Sequence, residues 1–254
     1  MAAVEFRRHR EPALLWTISV RSITAQCMVL PIAAVLLAFA CGSVLHPSEL
    51  YWYQWTCGYV RLPSVSRVIN LPLERTIFQL LVMFSVPFRA MALLKQWLQF
   101  SIAQPPLYFS LAKVIMVISS VVDLIFISAL STIGERESGD LHVALFAGFA
   151  TATYVYFVCI CLLTRWVNKQ TPSDILKEKL QLTFLSCISV TIPVILVLFV
   201  LYNGYCVEYT YELFAVFEYA TVASILAFHV SSLSNMSGFI YVVHNSIKSR
   251  TLRV

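Results

Sequence analysis

Residues 180–202 read LQLTFLSCISVTIPVILVLFVLY, without a single charged side chain. A helix needs roughly 20 predominantly apolar residues to cross the hydrocarbon layer of a bilayer, and this stretch is long enough to do so. Five more stretches of the same kind lie around it. Residues 23–45 are also uncharged, and residues 76–98 contain Arg89 and Lys95. Residues 109–131 contain Lys113 and Asp123, and residues 142–164 begin with His142. Residues 211–233 contain Glu212, Glu218 and His229. The apolar runs do not alternate and are too long for barrel strands. The expected fold is therefore all-α: a polytopic helical bundle with about six transmembrane helices, formed by residues 1–254 as one membrane domain.

Composition agrees. The chain is 59% hydrophobic and 12% charged, with a mean hydropathy of +0.78, whereas a soluble domain is about a quarter charged. Little room remains for a separate soluble catalytic domain. The net charge of +5 does not point to nucleic acid, because the basic residues sit at the ends of apolar segments, where they specify topology.

Orientation follows from those residues. With the N-terminus in the cytosol, the cytosolic side holds Arg7, Arg8, Arg10, Arg21, Lys95, Arg165, Lys169, Lys177, Lys179, Lys248, Arg250 and Arg253. The opposite side holds Arg61, Arg67, Arg75 and Arg136. This bias places both termini in the cytosol and residues 46–75, 132–141 and 203–210 in exoplasmic loops. The first of these loops is aromatic, the second acidic, and the third reads as a tight turn at Asn203-Gly204. On the cytosolic side, Thr171-Pro172-Ser173-Asp174 is a helix-start signal. Basic Arg7-Arg8-His9-Arg10 followed by Ala38-Phe39-Ala40 imitates a cleavable signal segment. The apolar run is longer than a usual signal core, so the span is expected to be retained. The sequon Asn235-Met236-Ser237 falls on the cytosolic side and is expected to stay unglycosylated.

Cys27, Cys41, Cys159, Cys161 and Cys187 lie in the spans, where a thiol behaves as a small hydrophobe. Cys159 and Cys161 point to different helix faces and make a poor metal pair, so no metal site is expected. Cys57 and Cys206 fall in exoplasmic loops. They read either as a disulfide or as two unpaired thiols, since spacing along the chain does not give their separation.

Ionisable groups at bilayer depth are costly, and each is a functional candidate. Arg89, Asp123 and Glu218 form a candidate polar pocket for a lipid headgroup. The competing reading is a structural ion pair of Arg89 with a carboxylate. Glu218 and His229, eleven residues apart, share a helix face about 16 Å apart along the axis. His142 and His229 are candidate catalytic bases; both also read as helix-end or packing histidines. Ser64 and Ser66 in the first loop could couple to His142, although nothing nearby in sequence orients such a pair. Phosphate-loop, G-x-S-x-G and H-E-x-x-H motifs are absent from the chain.

Three motifs in register carry a family resemblance. Cys57 to Ser66, with Leu62-Pro63-Ser64-Val65-Ser66, resembles the signature loop of the post-GPI-attachment-to-proteins factor 2 family. Tyr205-Cys206, Phe217-Glu218-Tyr219 and Ala227-Phe228-His229 resemble its last loop and last span in order and spacing, and Asp123 and His142 stand where similar residues stand there. The wider superfamily includes damage-regulated autophagy modulators and a yeast regulator of lipid asymmetry. The resemblance implies a multi-pass protein of the Golgi membrane, or of the endoplasmic reticulum, that remodels the lipid of glycosylphosphatidylinositol (GPI) anchors. The implied step is acyl transfer of a saturated chain to the sn-2 position of a lyso-GPI intermediate. No bound cofactor is implied; acyl-CoA is the expected donor class. The implied partners are GPI-anchored proteins, lyso-GPI and other remodelling enzymes, with no nucleic acid. Two alternatives stay open: a non-catalytic subunit that presents lipid to an enzyme, and a regulator of autophagy or lipid asymmetry.

Overall fold

The computed structural model describes residues 13–167, 171–233, 236 and 238–244. The sequon's Asn235 and the basic residues Arg7, Arg8, Arg10, Lys169, Lys248, Arg250 and Arg253 lie outside the described residues. Six long helices are apolar enough to cross a membrane: α1 (Val20–Leu45), α4 (Pro72–Gln99), α5 (Leu107–Thr132), α6 (Gly139–Trp166), α7 (Pro172–Tyr205) and α8 (Thr210–Leu233). Large apolar side chains such as Leu107, Ile125, Val190 and Val200 point outward, while Ser119, Ser120, Thr153, Thr191 and Thr221 are buried. This inverts a water-soluble protein and matches helix packing in lipid, where small and polar residues line the interfaces.

The helices pack as α1 on α4, α4 on α5, α5 on α6 and α7 on α8, whereas α6 meets α7 and α1 meets α8 only lightly. The α7–α8 hairpin thus closes a four-helix arc along two loose seams. Close approach of α5 and α6 depends on Gly148, where an added Cβ would come within 2.5 Å of the Phe126 ring.

Local signals place the helix ends. The Thr171 hydroxyl accepts from the Asp174 N–H at 3.2 Å, and Pro172 occupies the first turn, as a capped start requires. α7 therefore begins well before residue 180. The expected turn at Asn203-Gly204 is not one. α7 continues to Tyr205, because the Asn203 side chain bonds back to the Phe199 carbonyl and Gly204 keeps helical backbone. The turn is made instead by Cys206 and Tyr209, both with positive φ.

Strands supplement the all-α expectation. β1 (Ala13–Ser19) pairs antiparallel with β4 (Phe239–His244), Ser19 opposite Phe239. Both are short runs rich in aromatic and β-branched residues, which suit a strand but are too short to span. This pair marks one face of the bundle, here the terminal face. At the opposite, loop face, residues 46–71 fold into α2 (Pro47–Leu50), the hairpin β2 (Tyr53–Trp55) and β3 (Gly58–Val60), and the single turn α3 (Val65–Val68). Leu50, Val68 and Leu71 pack with Ala38 of α1, and Tyr53 and Val60 with Tyr202 and Tyr211.

Candidate functional site

At the loop face, Ser64 opens α3 and its hydroxyl accepts from the Arg67 N–H at 3.0 Å. The Tyr53 hydroxyl donates to that of Tyr211 at 2.6 Å, and Tyr211 donates to Ser64 at 3.1 Å. This relay pins the loop to α8, and a disulfide between Cys57 and Cys206 ties the hairpin to the end of α7. Burial pushes the Tyr53 hydroxyl well above its ordinary pKa, so it stays a donor.

The pinned loop delivers α3 to Glu218. The Val65 N–H donates to one carboxylate oxygen at 2.7 Å and the Ser66 hydroxyl to the other at 3.2 Å. His142, buried in the first turn of α6, approaches from across the bundle. Its Nδ1 lies 2.9 Å from the Ile133 carbonyl oxygen. A carbonyl only accepts, so Nδ1 carries the proton and Nε2 is left with a free lone pair. Nε2 stands 3.5 Å from Ser66 Oγ. Glu135, in the loop before α6, lies near His142 and Arg67; burial pushes its carboxyl up, and these two neighbours oppose the shift.

A second polar cluster lies deeper. Arg89 meets Asp123 at 2.5 Å, and the Thr153 hydroxyl donates to the other Asp123 oxygen. Arg89 Nη2 also faces His229 Nε2 at 3.4 Å. The His229 ring sits against Tyr156 and edge-on to Phe157, and Tyr156 donates to Gln96 at 2.7 Å.

A cavity of about 120 Å³ joins the two clusters. Ser66, His142 and Glu218 line one end, Arg89 and His229 the other, and Phe78, Val82, Ile127, Phe149 and Val222 lie between. A second cavity of about 290 Å³ opens at the loop face between α6, α7 and α8. The two share Ser66, His142, Phe146 and Glu218. The polar triad thus stands where an apolar, membrane-depth space meets a polar mouth.

The structure therefore separates residues that the sequence reading grouped. Asp123 is 1% exposed and lines neither of these two cavities; Arg89 and Thr153 saturate it. Arg89, its charge matched there, also lines the central cavity. The contact between Arg89 and Asp123 is the ion pair that the sequence offered as the competing reading. His229 offers its Nε2 to a guanidinium, whereas His142 offers its Nε2 to the space where the cavities meet. Ser66 enters the site because the Ile133 carbonyl orients His142, a backbone partner without any sequence signature. Glu74, buried and 2.8 Å from His46 Nδ1, escaped notice because it lies just before the uncharged part of its span. Among the described residues, no group of three or more His, Cys, Asp and Glu stands together as metal ligands.

Residues 20–239 match the family described as the Frag1/DRAM/Sfk1/Cwh43P N-terminal domain. A curated relative from Caenorhabditis elegans, named Post-GPI attachment to proteins factor 2, is 27% identical over 115 residues. That match covers 44% of this chain and 44% of the relative, so under half of the relative's length is spanned. No solved structure matches the chain.

Proposed function

The chain belongs to the Frag1/DRAM/Sfk1/Cwh43P family, and from that premise we propose that it processes GPI anchors, as the acyltransferase that reacylates a lyso-GPI lipid at sn-2. The observation that carries this reading is the position of His142. Its free Nε2, oriented by the Ile133 carbonyl, faces the junction of an apolar cavity with a polar mouth. That arrangement suits a lipid whose chain lies in the bundle and whose hydroxyl must lose a proton at the interface. The acceptor hydroxyl gives its proton to Nε2 as its oxygen attacks the acyl carbonyl, and the proton then passes to the leaving group. The Ser66 hydroxyl borders the same space, with its hydrogen given to Glu218. Glu218 holds α3 in place from below. In this reading the termini are cytosolic, the loop face is lumenal and the protein resides in the Golgi membrane.

A second reading, a subunit that presents the lyso-lipid to a separate enzyme, has one observation in its favour. The N–H groups of Val65 and Arg67, which open α3, are already taken by Glu218 and Ser64, so no backbone pair there awaits an oxyanion.

Mass spectrometry of GPI lipids from cells lacking the protein tests the pathway: lyso-GPI accumulates, and an unchanged diacyl profile would overturn the proposal. Turnover by the purified protein separates the enzyme from the presenting subunit.

A further inference from the structure

A lateral groove of about 350 Å³ runs between α6 and α7, bordered by Ala147, Ala150, Thr151, Ile188, Ile192 and Pro193, with no charged side chain along it among the described residues. It lies on the seam where these helices meet only lightly, so it faces the lipid. The groove meets the loop-face cavity at Phe146, Ile195 and Leu196, and Phe146 also borders the central cavity. Two apolar spaces therefore converge at Phe146, four residues along α6 from His142.

The mouth above them has a distinct character. Glu135, Asp140 and Glu218 line the loop-face cavity together with Trp55, Tyr202 and Tyr211, and among the described residues no Lys or Arg lines it. The neighbouring Arg67 guanidinium is laid over the Tyr53 ring at 4.3 Å and the Trp55 ring at 5.7 Å. Carboxylates beside aromatic rings attract an ammonium group and repel a polyphosphate.

We propose that the acyl donor is a zwitterionic phospholipid of the bilayer, its cationic headgroup in the loop-face cavity and its acyl chain in the α6–α7 groove. This rests on the acyl-transfer reading. The reaction is then a transesterification. The donor's acyl C–O bond breaks, and a new ester bond forms to the acceptor oxygen. The acceptor's proton passes through His142 Nε2 to the donor's glycerol oxygen, and a lysophospholipid leaves. One ester replaces another, so no activated thioester is required. An acyl-CoA would bring several phosphates against three carboxylates.

The test uses the full-length protein in vesicles with a lyso-GPI acceptor, comparing isotope-labelled stearoyl phosphatidylcholine in the bilayer with labelled stearoyl-CoA in solution. Label moves from phosphatidylcholine with equimolar lysophosphatidylcholine, and from the thioester at under about a tenth of that rate. Transfer from acyl-CoA alone would overturn the donor assignment and leave the acyl-transfer reading standing. Transfer from neither would overturn both. Ala150→Phe, which fills the groove, lowers transfer about tenfold. Glu135→Gln with Asp140→Asn shifts preference toward anionic phosphatidylglycerol about fivefold. Wild-type rates and preferences in both variants would remove the donor from this site.

Discussion

His142 Nε2 and Ser66 Oγ stand 3.5 Å apart although their residues are 76 positions apart in the chain. The contact exists because two unrelated constraints converge. The Ile133 carbonyl turns the imidazole, and Glu218 holds the α3 turn. Only Glu218 among the bilayer-depth charges takes part; Arg89, Asp123 and His229 do not.

The two histidines therefore separate experimentally. In cells lacking the protein, His142→Ala at normal level and location lowers lyso-GPI reacylation by about 10²–10⁴-fold, the usual range for a lost general base. His229→Ala, whose ring packs among Tyr156, Phe157 and Arg89, lowers it less than about tenfold. Full restoration by His142→Ala would end the proposed mechanism.

Arg89 and Asp123 behave as a buried pair. Asp123→Ala leaves a guanidinium uncompensated at membrane depth and destabilises the detergent-solubilised protein by about 3–5 kcal/mol. Arg89→Met with Asp123→Leu recovers most of that loss, because both charges leave together. Thermal unfolding reads the stability and reacylation reads the activity. A double variant that is stable yet inactive would transfer the pair from scaffold to chemistry.

The bond between Cys57 and Cys206 closes a separation of 149 residues. Replacing both by Ser lowers stability by about 2–5 kcal/mol, chiefly by freeing the unfolded chain. Peptide mapping without reductant reports the bond directly, and recovery of both cysteines as free thiols from the native protein would refute it.

Acid loosens the loop before α6. Arg75, hydrogen-bonded to Glu137, holds that carboxyl below the usual carboxylate range. A depressed folded pKa adds stability above the unfolded pKa and loses it as pH falls through the folded value. The contact is thus intact at neutral pH and is lost as pH falls through the folded value, below the ordinary Glu range of about 4.3. Hydrogen exchange of residues 133–139, corrected for intrinsic rates, rises there in the wild type. It shows no such acid step in Glu137→Gln, and an identical step in both would remove Glu137 as its cause.

Much of the architecture was legible in the chain. Uncharged or sparsely charged runs near the length of a bilayer specify six helices, since lipid leaves a backbone no other partner than itself. The capping signal at Thr171 fixed a helix start for the same local reason. Turn chemistry was less legible: Asn203-Gly204 looks like a turn, but the Asn203 amide can equally satisfy a helical carbonyl. Strands β1 and β4 were invisible because neither has a partner nearby in sequence.

The sequence by itself determined that the chain is a six-span bundle with His142, His229, Arg89, Asp123 and Glu218 at costly depths, because the price of a charge in lipid is set by position along a span. Only the tertiary structure decided which of those charges satisfy one another and which face open space. It sent Asp123 to Arg89 and Thr153 and gathered His142, Ser66 and Glu218 where two cavities meet. Partnership across helices depends on crossing geometry and on a backbone carbonyl at Ile133, and neither leaves a residue pattern to read.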